Sequence, residues 1–414
     1  MFIRVDSWQF RLICSALLAV PLTYGIFDAA RLARADRLAR QDTVDALLAA
    51  SRIEPTNADY HARIASLDPS RQDQLLIALQ LNPRNPSWWI MQSIRQEEVG
   101  DLDGAETSLL QANAVCRYYT PRWSMASFYY RQKNLPEFAK WARASMSVGY
   151  GDSESLFRMA QRLGLTSEAI LEDMVPGDPD KVAAYLYLMM SDGNIERLYP
   201  PAAKLVDLGA KTFRNAVLDS SETLFLRGKT AQALALWNRA VEARWVAFSA
   251  LDPKAGKSLA RGNFRGERIE KGFDWKYPAP QGVTVSAAES DGSLRLEFSG
   301  KEPANCELAS QWTPLLPQRK YHLAVRYRGE SIPKESGLQW SVVAVSAGPS
   351  IATLPLRAPA AQVTEHSADF QTPQTQAPMK LLLSYSRAPG TTSIEGTLWI
   401  QSVELTLASS NDHE

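Results

Sequence analysis

Two stretches of this 414-residue chain align when one is slid thirty-four residues along the other, and no other feature restricts the fold as much. In that register Trp89 falls on Trp123, Gly100 on Asn134, Ala105 on Ala139 and Ala112 on Met146. Within the first copy a tryptophan opens one helix, "GDLDGAETSLLQANA" supplies a turn glycine, and Ala105 and Ala112 recur on a second helix. A helix-turn-helix unit of this size cannot bury its own apolar stripe, so it is stable only when stacked on neighbours. The chain is therefore expected to hold an array, and arrays present extended surfaces for binding.

The pattern extends both ways. "LLAASRIEPTNADY" (47–60) and "LLIALQLNPRNPSW" (75–88) repeat at a spacing of 28, each with a proline, Pro55 or Pro83, that stops a helix for want of an amide hydrogen. Downstream, "GKTAQALALWNRA" (228–240) restores the turn glycine with Ala233, Trp237 and Ala240. Helical patterns around 153–163, 166–174, 179–190 and 194–208 lie between, punctuated by Gly164, "PGDP" and "YPP". Roughly five to six hairpins are expected between Asp36 and Val246. The spacing and the large/small pattern resemble tetratricopeptide repeats. That resemblance implies paired helices crossing at the small residues Ala105 and Ala139, and docking of a protein partner.

After about Leu251 the helical period gives way to alternation: "VTVSA", "LRLEFSG", "YHLAVRYRG", "LQWSVVAVS", "IATLPL", "MKLLLSYS" and "GTLWIQSVELTL", separated by turn residues. Short β-branched and aromatic runs at this spacing predict an antiparallel sandwich, and residues 258–408 are enough for a two-sheet jelly roll. "ARGNFRGERIEKGFDWKY", "SLRLEFSG" and the closing "GTLWIQSVELTL" are similar to the opening, second and last strands of carbohydrate-binding-module-like jelly rolls. The order of parts resembles bacterial tetratricopeptide proteins associated with polysaccharide export and O-antigen ligation. The fold class is thus multidomain α and β: an N-terminal membrane helix or signal-like segment (1–30), an α-solenoid (31–250), a linker (251–257), a β-sandwich (258–408) and a polar tail (409–414).

Residues 12–27, "LICSALLAVPLTYGIF", are uncharged between Arg11 and Asp28. The run is short for a spanning helix and contains Pro21, so it also suits a signal peptide, but no cleavage site stands out and an uncleaved single-pass anchor is favoured. Arg4 and Arg11 precede it while Arg31, Arg34, Arg37 and Arg40 follow, a count that keeps the body cytoplasmic. The polysaccharide-export resemblance implies instead a bacterial inner-membrane protein with a periplasmic body. Lys plus Arg and Asp plus Glu both number 45, so no basic field recruits nucleic acid. Cys14, Cys116 and Cys306 define no disulfide framework.

Catalytic chemistry has little to build on. His61, His322, His366 and His413 are placed in a repeat, a strand, a loop and the tail, none with metal-ligand spacing, and no cofactor motif is present. Carboxylate pairs such as Glu97 with Glu98, or Glu289 with Asp291, read as solvated surface charge. No enzyme activity is expected.

Binding residues are sought among aromatics. In the sandwich, strand phase assigns Tyr327, Trp340 and Trp399 to the core, and Trp275 sits in the opening motif; Tyr277 and Trp312, each close to a proline, are the candidates for stacking on a sugar. In the array, residues 88–141 are rich in aromatics. Trp89 and Trp123 are assigned to packing, and because adjacent side chains diverge on a helix, Trp88 and one of Tyr129 or Tyr130 should point elsewhere. Trp88, Arg95, Tyr119, Arg122, Tyr130 and Arg131 are the candidates for docking a partner. The expected function is a membrane-anchored scaffold that docks a membrane protein of the envelope polysaccharide machinery, with a β-domain that engages glycan. The alternatives are a module-bearing subunit of a carbohydrate-active enzyme, or a structural scaffold that binds no sugar.

Overall fold

The computed structural model describes residues 8–148, 150–287, 292–333, 335–345, 350–357, 362–374 and 377–408. Arg4, the Arg11 side chain, Glu289, Asp291, His413 and the tail 409–414 lie outside the described residues. Two compact units divide the chain, Met1–Gly164 and Leu165–Glu414.

The first unit is all helix: α1 (Trp8–Ala39), α2 (Val44–Ile53), α3 (Ala58–Leu67), α4 (Gln72–Leu81), α5 (Pro86–Glu98), α6 (Leu102–Val115), α7 (Tyr119–Arg131), α8 (Leu135–Met146) and α9 (Ser153–Arg162). Consecutive helices pack as antiparallel pairs, α1 on α2, α3 on α4, α5 on α6 and α7 on α8. Helices α2 and α4 stop two residues before Pro55 and Pro83. The Cys14–Ala39 part of α1 is long and apolar enough to cross a membrane, and none of its apolar window is buried in the chain. Its last turns change character: Ala35 and Ala39 join Leu47, Ala50, Tyr60 and Ile64 in a core shared with α2 and α3.

The repeat holds, with a register one residue shorter than the tryptophans imply. Asp101 caps α6 and Asn134 caps α8, thirty-three residues on. The left-handed residue before each cap is Gly100 (φ 82°) or Lys133 (φ 55°), so Gly100 corresponds to Lys133 and not to Asn134. Buried Trp88, Gln92 and Ser93 of α5 recur as Pro121, Met125 and Ala126 of α7 at the same offset. Trp89 and Trp123 are therefore not equivalent, since one residue turns a helix by about 100°. Ala105 is fully buried against α5. Ala105→Leu is expected to overpack that crossing and cost about 1–3 kcal/mol in a urea titration, while Leu at the exposed Gln111 should be neutral.

In the second unit α10 (Ser167–Ala169) runs into a π-helical turn, Ile170–Met174, followed by α11 (Pro179–Ser191), α12 (Tyr199–Asp207), α13 (Arg214–Leu226) and α14 (Thr230–Glu242). The strands are β1 (Val283–Ala287), β2 (Leu294–Ser299), β3 (Asn305–Thr313), β4 (Lys320–Glu330), β5 (Leu338–Ala344), β6 (Ala352–Pro355), β7 (Thr364–Gln371), β8 (Met379–Ser386) and β9 (Glu395–Leu407). They form two antiparallel sheets, ordered β1-β2-β9-β4-β7 and β3-β8-β5-β6. Leu296, Tyr321, Val325, Trp340, Leu383 and Ile400 are among the residues filling the space between the sheets. The alternating runs coincide with seven of these strands. His366, expected in a loop, lies in edge strand β7, where only Phe370 is buried and the polar sequence masks the strand.

The expected linker is a packed corner. Leu251 is buried, its backbone N–H and C=O both bonded at 2.8 Å to the Asn238 side chain of α14. The segment that follows is an irregular strap and not an opening strand; it joins the sandwich through a bridge between Lys276 and Ser310, through the Val403 N–H donating to the Gly262 carbonyl at 2.8 Å and through the Gln311 amide donating to the Phe273 carbonyl at 2.8 Å. A buried ion pair holds the strap: Arg261 Nε donates to Asp274 Oδ1 at 3.1 Å, and Asp274 Oδ2 accepts from the backbone N–H of Ile269 (2.8 Å) and Glu270 (3.1 Å). Phe273 then packs edge-on against Phe225 of α13 and Trp237 of α14, joining helices and sandwich.

Candidate functional site

Helices α5 and α7 lie side by side in the first unit, and a groove of about 490 Å³ opens along them. Ile90, Ile94, Leu109 and Trp123 give it an apolar lining, with Ser93, Ser124 and Ser127 between them. Arg131 spans one part of its wall: Nε and Nη2 donate to the two carboxylate oxygens of Glu97, both at 2.7 Å, a bidentate pair between α7 and α5. Glu98 also lines the groove, and Ile94 is half exposed. Apolar lining with polar groups between and ionic groups at one end suits an extended peptide segment better than a compact solute.

Among the residues expected to dock a partner, only Arg131 lines this groove. Trp88, expected to point away from the packing face, is 8% exposed among Ala58, Ala62, Ala65 and Leu79. Trp89 is the half-buried member of that doublet, its indole N–H donating to the Pro83 carbonyl at 2.8 Å. Of the second doublet, Tyr129 is buried with its hydroxyl donating to Glu106 at 2.6 Å; burial first and that carboxylate second push its pKa up. Tyr130 is half buried and tilts against Phe138 at 6.1 Å. Tyr119 donates to the Asp152 carbonyl at 2.6 Å and lies over Gly151 (φ 111°), where a Cβ would come within 2.3 Å of its ring.

The arginines have a common use that the sequence does not announce. Arg95 Nη2 donates to the Ala65 carbonyl in the last turn of α3, and Arg122 Nη1 to Ala144 in the last turn of α8 at 2.7 Å. Arg63 does the same at Ala39 of α1 (2.7 Å) and Arg31 at Ile53 of α2 (3.0 Å). Helix C-terminal carbonyls lack intrahelical donors and carry the negative end of the dipole, so a guanidinium satisfies both needs. Arg95 and Arg122 are therefore fastened within the array, a correction to their expected role. Ile90 and Ile94, which sequence reasoning missed, leave as their only signal apolar residues four apart outside the buried set of α5.

In the sandwich, both expected sugar platforms are turned to internal use. Tyr277 is 7% exposed and belongs to the core; Arg268 lies 4.2 Å from its ring centroid, and burial raises its phenol pKa. Trp312 is half buried, its indole N–H donating to Glu222 of α13 at 3.0 Å and its ring 6.4 Å from Phe225. Trp275, Tyr327 and Trp340 are in the core, whereas Trp399 is outside it. A register shift opposite Arg326 and Tyr327 changes the phase of β9, so Leu398 and Ile400 face inward and Trp399 the reverse. Cross-strand pairing lines up Arg295, Trp399 and Arg328 on three adjacent strands. The Arg328 guanidinium sits 3.8 Å from the centroid of the indole, leaving Trp399 8% exposed.

His61 bonds Gln74 at 2.8 Å and His322 bonds Asp369 at 2.7 Å. Among the described residues no three His, Cys, Asp or Glu side chains gather in a way that could hold a metal ion, and Cys14, Cys116 and Cys306 are free thiols.

No family model matches the chain, and no curated protein does. Among solved structures, its C-terminal sandwich resembles carbohydrate-binding modules. One is a family 4 module, 11% identical over 36% of this chain and 100% of that one, with a TM-score of 0.29. Another is a family 22 xylan-binding domain from Paenibacillus barcinonensis, 12% identical over 38% and 97%, with a TM-score of 0.26. A family 16 module is 15% identical over 32% and 89%, with a TM-score of 0.25.

Proposed function

We propose that this protein is a non-catalytic scaffold of tetratricopeptide type, anchored in a bacterial inner membrane by α1, that docks an extended segment of a membrane protein in the groove between α5 and α7. The groove carries the reading: an open, apolar-lined channel with a bidentate ion pair in its wall, in an array where Trp88 and Tyr129 are committed to packing and Arg95 and Arg122 to capping. The setting proposed is envelope polysaccharide assembly, with the body in the periplasm. The β-sandwich is proposed to meet glycan on the sheet face that bears Arg295, Trp399 and Arg328, since Tyr277 and Trp312 are occupied elsewhere.

Ile94→Glu introduces a charge into the groove at a half-exposed position. It is expected to weaken recovery of a membrane-protein partner from detergent-solubilised membranes about thirtyfold with an unchanged melting temperature, the loss typical of a binding hot spot. Undiminished recovery of that partner would remove the groove from the mechanism. Glycoside turnover by the purified protein would overturn the non-catalytic reading, and normal surface polysaccharide in a strain lacking the protein would overturn the setting.

A further inference from the structure

A second cavity in the first unit, about 530 Å³, is bounded by Phe27, Ala30, Arg31, Arg34, Arg52 and Ile53. Three arginines border it, of which Arg31 pairs with Asp28 at 2.8 Å. Arg31 also caps α2 through Ile53. Arg34 and Arg52 make no hydrogen bond or ion pair among the described residues. Both side chains are exposed, so their donors are open to an anion, and guanidinium donors match phosphate oxygens in pairs.

The cavity's place along the chain identifies the anion. Phe27 is the last residue of the exposed apolar run in α1, and Arg34 follows seven residues later on the same unbroken helix, about 10 Å further along. A helix crossing the bilayer over that run sets the cavity at the level where hydrocarbon gives way to headgroups. Free phosphate would satisfy the arginines but leave Phe27, Ala30 and Ile53 unexplained, whereas a lipid brings a phosphate and an apolar glycerol ester together. We propose that this cavity holds the headgroup phosphate of an anionic membrane lipid, an inference that rests on α1 being the membrane anchor and is indifferent to which side of the membrane the body occupies.

The full chain in neutral detergent is titrated with phosphatidylglycerol and, separately, phosphatidylcholine, and bound lipid is counted by native mass spectrometry. Phosphatidylglycerol is expected to bind preferentially, and Arg34→Gln combined with Arg52→Gln to weaken it about thirtyfold, each basic residue near an anionic surface contributing roughly fivefold and the two factors multiplying. Arg31 is left in place to preserve the α2 cap, and circular dichroism checks that the double variant stays helical. Equal binding of both lipids, an unchanged affinity in the folded double variant, or displacement of the lipid by inorganic phosphate at matching concentration would each overturn the proposal. Carbonate extraction of membranes is run alongside: a chain released by carbonate defeats the anchor reading itself, whereas a resistant chain without lipid preference defeats only the lipid site.

Discussion

Asp274→Ala is expected to cost about 3–5 kcal/mol, the penalty for leaving a buried partner charge uncompensated. Asp274 is fully buried and Arg261 nearly so, with N–O distances of 3.0 and 3.1 Å between them. Arg261 Nη1 donates to the carbonyls of Phe264 and Gly266, both at 3.2 Å, and Nη2 to the Tyr277 hydroxyl at 3.4 Å, while Trp275 donates back to the Arg261 carbonyl at 2.7 Å. Removing the carboxylate strands a guanidinium out of reach of water and orphans the N–H groups of Ile269 and Glu270. The half-exposed pair Arg239–Asp207 is the contrast, and Asp207→Ala there should shift stability by no more than about 1 kcal/mol. Urea titrations followed by circular dichroism measure both. Equal midpoints for the two variants would mean that the strap is not a structural element at all.

Trp237→Ala is expected to cost about 3–5 kcal/mol, because a large cavity would open in a region that cannot collapse. The indole is fully buried on α14, edge-on to Phe273 at 5.6 Å and stacked on Phe248 at 6.2 Å. Gly272 (φ 61°) passes so close that a Cβ there would lie 3.0 Å from the ring. The indole N–H has no acceptor among the described residues, so Trp237→Phe should cost clearly less than the alanine change: it removes volume together with a buried unsatisfied donor. Loss of stability is read from the melting temperature. If phenylalanine proved as damaging as alanine, the ring's polar edge and not its bulk would be what the site requires.

Much of this architecture is legible in the sequence because it depends on periodicity. Proline positions mark the ends of α2 and α4, and alternation locates seven strands with their buried faces. Where a single residue changes phase, reading by periodicity fails. The shift in β9 carries Trp399 off the core although it shares parity with Val403 and Leu405, and the one-residue difference between repeats exchanges the roles of Trp88 and Trp89. Strand β3 was masked by its own bulge between Glu307 and Ala309, which buries Leu308, Ala309, Ser310 and Gln311 in succession. The candidate sites were harder still. Whether an arginine caps a neighbouring helix or faces solvent depends on contacts thirty residues away, as for Arg95 and Ala65, and no local pattern encodes them.

Helix α1 runs without interruption from its exposed apolar stretch to Ala39, where it is already part of the first packed core. With α1 as the anchor, there is no elbow between bilayer and array. The distance from Phe27 to Ala39 is about 18 Å of continuous helix. A flexible tether would let the groove sweep a hemisphere above the membrane; a stiff stem holds it at a fixed stand-off height and leaves only lateral drift and rotation about the stem. Partners would then be met by sliding in two dimensions, and the height at which a partner presents its segment would decide whether the two can engage.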